Sequence, residues 1–415
     1  MMVSSRRLGK AAESLSKTKT WGLVCTNCGK EAETERPDSR CRRCGDLLEV
    51  TISKRVEGKD LFEGRGPGVW RYVAALPFSS GTAPVSLGEG GTPLVRLEST
   101  GRSLNLGNLY AKNDGQNPTG SFKDRGMAVA VTRAKELDAE ALVCASTGNT
   151  AASLAAYAAK AGIKAVVVVP KRGVASGKLG QAFAYGARVF GVGGSFDDAL
   201  RLVLDLVNAD KAFYLMNSLN PFRIEGQKVA AFEIYEQLAK VPDYLVLPIG
   251  NAGNISAIWK GFKELKANGI TDSIPKMIGV QAEGAAPLAR AFVSNLPLKP
   301  LVNPETVASA IKIGNPVSWK KAMRAVQDSG GSVLTVSDDE IMEARDELGS
   351  REGILAEAAS AAPLAALRKL KLARSSNVVC VITGNGLKDL ADHQAQGTIQ
   401  TVESVKPIIS SIASG

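Results

Sequence analysis

The sequence predicts an α/β protein with mainly parallel sheets, and three observations predict it. From about residue 105 onward, short apolar runs alternate with helical stretches, the pattern of repeated strand-helix units. The chain has 415 residues, 45% of them hydrophobic, so it can bury a large core and fill two or three domains of about 150 residues. A compact group of four cysteines stands ahead of the alternation, between residues 21 and 55.

In chain order, residues 1–20 read as a flexible polar tail. Arg6, Arg7, Lys10, Lys17 and Lys19 against Glu13 give it +4 of the formal net charge of +10, leaving +6 for the other 395 residues. The basic balance is therefore not concentrated on a nucleic-acid-binding face. No run approaches the roughly 18 apolar residues of a membrane span, and the start lacks the apolar block of a secretory signal, so a cytoplasmic protein is expected. Strands are expected at Leu109–Lys112, Ala141–Ala145, Lys164–Val169, Ala187–Gly191, Tyr244–Pro248, Met277–Gln281 and Asn377–Ile382, with helices such as Asn149–Ala161 and Arg223–Ala239 between them. Cys144 and Cys380 lie inside apolar runs as small hydrophobes.

Parallel sheets place ligands at the carboxyl ends of their strands, and four loops leaving these strands are unusual. Asn117 to Gly126 reads NPTGSFKDRG and leads into a helix beginning near Ser121. A lysine in that first turn, Lys123, sits beside positive dipole charge, which favours the neutral amine that a Schiff base requires; a single lysine by itself is more simply a solvated one. Ala145 to Thr150, ASTGNT, presents hydroxyls, an amide and backbone N–H groups at a helix start, which suits either a carboxylate or phosphate ligand or a plain N-cap. Gly250 to Asn254, GNAGN, follows the strand YLVL as a phosphate cradle without a Walker lysine. Thr383 to Asp389, TGNGLKD, places a hydroxyl where it can meet a heteroaromatic nitrogen.

These four motifs in this order resemble fold-type-II pyridoxal-phosphate enzymes, the group containing tryptophan synthase β, cysteine synthase and threonine dehydratase. Within that group the stretch of about 300 residues from GEGGTPL at Gly88 to TGNGLKD is similar to the threonine synthase family. The resemblance implies pyridoxal 5'-phosphate as cofactor, a large cofactor-binding domain of residues 56–115 and 217–415, and a small domain of residues 116–216. It makes Lys123 the Schiff-base lysine, Asn149 the partner of the cofactor's phenolic oxygen and Thr383 the partner of its pyridine nitrogen. Gly250, Asn251, Ala252, Gly253 and Asn254 would bind its phosphate. Ser146, Thr147 and Thr150 would receive the substrate carboxylate. Asn217, Ser218 and Arg223 in NSLNPFR, with Lys228 beyond them, would receive a substrate phosphate. Family members are commonly dimers, so a homodimer is expected.

The small-molecule substrate so implied, O-phospho-L-homoserine, must lose protons at its α and β carbons, expel phosphate from the γ carbon and take water at the β carbon. The cofactor stores the carbanion electrons. His393 is the only histidine and lies outside the motifs, so Lys123 is the expected proton carrier. One departure from the family is Ala358, where the family stretch Glu-Pro-Ala-Ser has proline; a looser backbone is expected there.

Cys25 and Cys28, twelve intervening residues, then Cys41 and Cys44, with Gly29 and Gly45 directly after each pair, form a zinc-ribbon pattern. Four cysteines leave no open ligand position, so the expected zinc is structural. Residues 21 to 60 carry eight basic and eight acidic side chains, poor equipment for a nucleic-acid module. Two alternatives remain at this point: a relative such as threonine dehydratase or a cysteate-synthase-like enzyme, and a zinc-ribbon binding protein whose catalytic body has decayed.

Overall fold

The apolar runs become strands in the computed structural model, which describes residues 20–34, 40–64, 66–79, 81–171 and 179–392. The basic tail and His393 lie outside the described residues. Among the described residues thirteen strands form in chain order: β1 (Trp21–Cys25), β2 (Glu31–Ala32), β3 (Leu48–Ile52), β4 (Leu94–Arg96), β5 (Asn108–Asn113), β6 (Ala141–Ala145), β7 (Lys164–Pro170), β8 (Arg188–Val192), β9 (Phe213–Leu215), β10 (Tyr244–Pro248), β11 (Lys276–Ala282), β12 (Ser332–Val336) and β13 (Asn377–Ile382).

The cysteine module is a three-stranded antiparallel sheet, β2-β1-β3. A six-stranded sheet runs β12-β11-β10-β13-β5-β4, parallel except at its edge, where β4 pairs antiparallel with β5. A four-stranded sheet, β8-β7-β6-β9, is wholly parallel. Both sheets are covered on both faces, which is why their central strands read as unbroken apolar runs. Along β13, Val378, Cys380 and Ile382 enter a core beneath the helix Ala358–Leu367, while Val379 and Val381 enter the opposite one. That second core is shared: it also takes Leu142, Cys144 and Val167 from the four-stranded sheet.

Three helices in this shared layer touch backbone to backbone and thereby fix the site. A Cβ added to Gly226 of the helix Pro221–Leu238 would lie 1.9 Å from the Arg125 carbonyl of the helix Lys123–Glu136. A Cβ on Gly261 of the helix Gly253–Ala267 would lie 2.5 Å from the Lys228 carbonyl. Only glycine allows such approach. Ala358 starts its helix in the first-turn position that proline favours, and the helix forms without it. Among the described residues no helix is long and apolar enough to cross a membrane.

Candidate active site

The loops at the carboxyl ends of β5, β6, β10 and β13 meet around one cavity of about 1960 Å³. The loop carrying Lys123 is held on two sides. Phe122 N donates to Thr383 O at 2.9 Å and Asn385 N to Gly120 O at 2.9 Å, so this loop and the Thr383 loop are zipped together. On the other side the buried Asp124 carboxylate accepts from Thr119 N, Thr119 Oγ1 and Ser153 Oγ at 2.7, 2.6 and 2.6 Å. Lys123 therefore leaves a rigid turn.

The Lys123 amine has no hydrogen-bond partner among the described residues and stands 4.4 Å from the Phe122 ring centroid. Burial, and then the Arg223 guanidinium, push it down to about 7, while Glu357 opposes the shift. A neutral amine is thus available near neutral pH. Facing it, Asn149 Nδ2 donates to both carboxylate oxygens of Glu357 at 3.1 and 3.0 Å, and burial raises the Glu357 pKa despite that bond. The Thr383 hydroxyl lies 2.8 Å from Ser360 Oγ, which also accepts from Gly384 N at 2.8 Å. Thr383 is held in place by this pair.

Two helix starts open into the cavity with no side chain capping them, Asn149–Ala161 and Gly253–Ala267. At the second, Ala252 takes a left-handed backbone (φ 63°) and the buried Asn254 Nδ2 has no partner among the described residues. Free N–H groups and an orphaned amide donor at a helix N-terminus match a phosphate. At the first, Ser146, Thr147 and Thr150 line the cavity, with Ser146 Oγ accepting from Gly148 N at 3.3 Å.

A separate cation stands at the start of the helix Pro221–Leu238. Arg223 is 2% exposed, donates through Nη1 to Met216 O at 2.9 Å, leaves its buried Nε unpaired and forms no ion pair among the described residues. Burial lowers it to about 10. Ser218 lines the cavity beside it.

One expected substrate residue needs correction. Asn217 lines the cavity, and its amide is also bonded to the end of β6, accepting from Ala145 N and donating one N–H to Ala145 O at 2.9 Å each. The correction is Lys228, which does not reach the cavity. Five residues at about 100° each turn its side chain about 140° from Arg223, and it is buried in ion pairs with Glu225 at 2.6 Å and Glu264 at 2.8 Å.

Sequence reading missed Glu357 and Ser360 as site residues, and also Gln227, whose buried Oε1 lacks a partner at the cavity wall. One signal pointed to Glu357: it is the only charged residue between Gly353 and Leu367. An acid in such an apolar run is buried for a reason.

Away from the cavity, the Sγ atoms of Cys25, Cys28, Cys41 and Cys44 all lie within 4.8 Å of one another, and none is in a disulfide. Backbone N–H groups of Asn27 and Arg43 point at Cys25 and Cys41 sulfur at 3.4 Å each. Gly29 and Gly45 supply the positive φ angles these turns need.

The family model described as pyridoxal-phosphate dependent enzyme matches residues 85–384. The chain is 51% identical over 375 residues to a threonine synthase of Methanocaldococcus jannaschii and 50% identical over 376 residues to one of Methanosarcina acetivorans; each match covers 88% of this chain and 92% of the relative. In fold it is similar to maize serine racemase (TM-score 0.62, 22% identity, 73% of this chain and 92% of the other). It is likewise similar to threonine deaminase isoform 2 of Solanum lycopersicum (TM-score 0.62, 23% identity, 73% and 88%). With the family model matching three of the motif loops in full and the fourth as far as Gly384, the chain belongs to the pyridoxal-phosphate-dependent enzyme family.

Proposed function

We propose that this enzyme is a threonine synthase, converting O-phospho-L-homoserine and water to L-threonine and phosphate. The observation that carries the proposal is the presence of two anion-binding elements in one cavity: the uncapped Gly250–Asn254 turn for a cofactor phosphate, and the unpaired, buried Arg223 for a second one. An enzyme acting on serine or threonine needs a carboxylate site but only one phosphate site, the cofactor's. Threonine synthases being relatives at about half identity supports the same substrate.

The residues present fit pyridoxal phosphate, as the free Lys123 amine, the orphaned Asn254 amide and the uncapped helix start show. Lys123 would hold it covalently, Asn149 its phenolic oxygen, Thr383 its ring nitrogen and Gly250 to Asn254 its phosphate. Bound there, it supplies an electron sink for a carbanion at the substrate. The chain does the rest. Ser146, Thr147, Thr150 and their helix N-terminus hold the substrate carboxylate. Arg223 and Ser218 hold its phosphate, with charge-assisted hydrogen bonds that orient the Cγ–O bond for departure of the phosphate. Lys123, its amine freed when substrate is bound, carries protons at the α and β carbons. A neutral hydroxyl at Thr383 keeps the ring nitrogen largely unprotonated, which weakens the sink and restrains side reactions.

The four cysteines are proposed to hold one structural zinc. Zinc–sulfur bonds of about 2.3 Å in a tetrahedron put sulfurs about 3.8 Å apart, and Cys25–Cys44 and Cys28–Cys41 stand at 3.4 and 3.7 Å. The division into a large domain (56–115 and 217–415), a small domain (116–216) and a ribbon (21–55), and assembly as a homodimer, belong to the same reading. It is tested by measuring phosphate release and amino-acid product with O-phosphohomoserine, O-phosphoserine and threonine in turn. Phosphate and threonine in equal amounts from the first alone are expected; turnover of O-phosphoserine or threonine instead would replace this reading with a related enzyme.

A further inference from the structure

The ribbon is not simply attached to the catalytic body: its third strand meets a largely buried charge junction between the two helices that carry the anion sites. Val50 of β3 accepts from Lys260 Nζ at 2.5 Å, and Glu49 lies 3.5 Å from Lys260 and 3.0 Å from Lys321. Lys260 belongs to the helix Gly253–Ala267, which begins at the cofactor-phosphate turn. The same amine pairs with Glu225 at 2.5 Å, and Glu225 is two residues beyond Arg223 on the helix Pro221–Leu238. Lys228 closes the network against Glu225 and Glu264.

We propose that the cysteine module is a positioning element of the active site, with Glu49 fixing, through Lys260 and Lys321, the relative placement of the two anion-binding elements. This rests on the roles given above to Arg223 and Gly250–Asn254. Charge counting supports it. In direct ion pairs the body contributes Lys228, Lys260 and Lys321 against Glu225 and Glu264, and Glu49 of the module is the third carboxylate that balances them, with Lys263 acting on Glu49 from farther off. Without it one largely buried cation is uncompensated, a condition that proteins relieve by moving the group. There is little slack to absorb such movement, because the two helices are in backbone contact at Gly261.

A second connection runs through the helix Trp319–Asp328. The module holds that helix by Asp46 on Lys320, Glu49 on Lys321 and the Thr26 carbonyl on Arg324. The residues leading into it hold Asn251 of the phosphate turn: Ser318 N donates to Asn251 O at 3.1 Å and Val317 N to Asn251 Oδ1 at 3.5 Å. A third is apolar, with the Trp21 ring edge-on to Phe222 at 5.5 Å, directly before Arg223. The module is thus linked to both anion-binding elements by independent routes, each through one intervening residue or helix.

The test is Glu49→Gln in the full-length holoenzyme, with Lys321→Gln as a variant that cuts the Glu49 arm to the helix Trp319–Asp328. Both the dissociation constant for pyridoxal phosphate, measured by reconstituting the apoenzyme, and KM for O-phosphohomoserine are expected to rise about three- to tenfold. Zinc content is expected to stay unchanged and kcat within about twofold, and Glu49→Asp to recover part of the loss. A merely structural contact would lower the melting temperature and leave both constants alone. That result, in a folded variant of either kind, overturns the proposal while the functional reading stands. If the wild-type enzyme does not release phosphate from O-phosphohomoserine, the functional reading fails instead, and the cofactor constant still decides whether the module positions its site.

Discussion

Buried cations in this molecule are of two kinds, and the contrast separates architecture from chemistry. Behind the Lys123 loop, Arg125 meets Asp114 and Glu233 at 2.8 and 2.7 Å, and Lys112 meets Glu233 at 2.6 Å, all 2% exposed or less. Burial opposes the charge on Arg125, and the two carboxylates more than offset it, holding it well above its ordinary value. In the cavity, among the described residues, Lys123 has no hydrogen-bond or ion-pair partner and Arg223 has only a backbone carbonyl, and burial pushes both down. A paired buried cation is a brace, whereas one that burial leaves short of acceptors is waiting for a ligand. The four are close in sequence or space, so composition alone does not sort them. Partners do.

The largest expected effect breaks the contrast at its catalytic end. Lys123→Ala should keep the fold but lose the visible absorbance of bound cofactor and all measurable turnover, since no other residue offers both attachment and proton transfer. Steady turnover in that variant would remove Lys123 from the chemistry. At the structural end, Arg125→Met leaves Asp114 and half of Glu233 uncompensated and should cost about 3 to 5 kcal/mol in denaturant unfolding; a loss below about 1 kcal/mol would show that the brace is dispensable. A smaller effect sharpens the electrostatic distinction. The folded Lys123 amine titrates at about 7, so the rate of cofactor capture by apoenzyme should rise with pH between about 6 and 8 and then level off. A lysine at its ordinary value of about 10.4 would give a rate still climbing at pH 9.

How much of this was legible in the sequence depended on the length of each signal. The runs ALVCA, YLVLP and NVVCVI became β6, β10 and β13 with the expected bounds, because strands buried on both faces carry a continuous apolar signature. Leu94–Arg96 and Phe213–Leu215 went unread: three residues at a sheet edge are too few to show a period. Ser332–Val336, a longer edge strand, has no such excuse beyond its two polar residues. In the site, motif loops were legible because glycine, proline and small polar residues cluster where a strand turns into a helix. Lys228 was misread because sequence proximity to Arg223 ignored helical rotation. The Asn149–Glu357 and Thr383–Ser360 contacts join residues 208 and 23 positions apart, and no local pattern encodes such pairings.

The measurement that bears most directly on the distinction between braced and waiting cations is Arg223→Ala, with kcat/KM for O-phosphohomoserine determined beside cofactor occupancy. Loss of a charge-assisted contact to the substrate phosphate should cost about 2 to 4 kcal/mol, a thirtyfold to thousandfold fall or so in kcat/KM. Cofactor occupancy should hold, because the Gly250–Asn254 turn is proposed to bind a different phosphate. Unchanged kcat/KM would contradict the account by moving the substrate phosphate elsewhere, and loss of cofactor would contradict it by showing that the two anion sites are one.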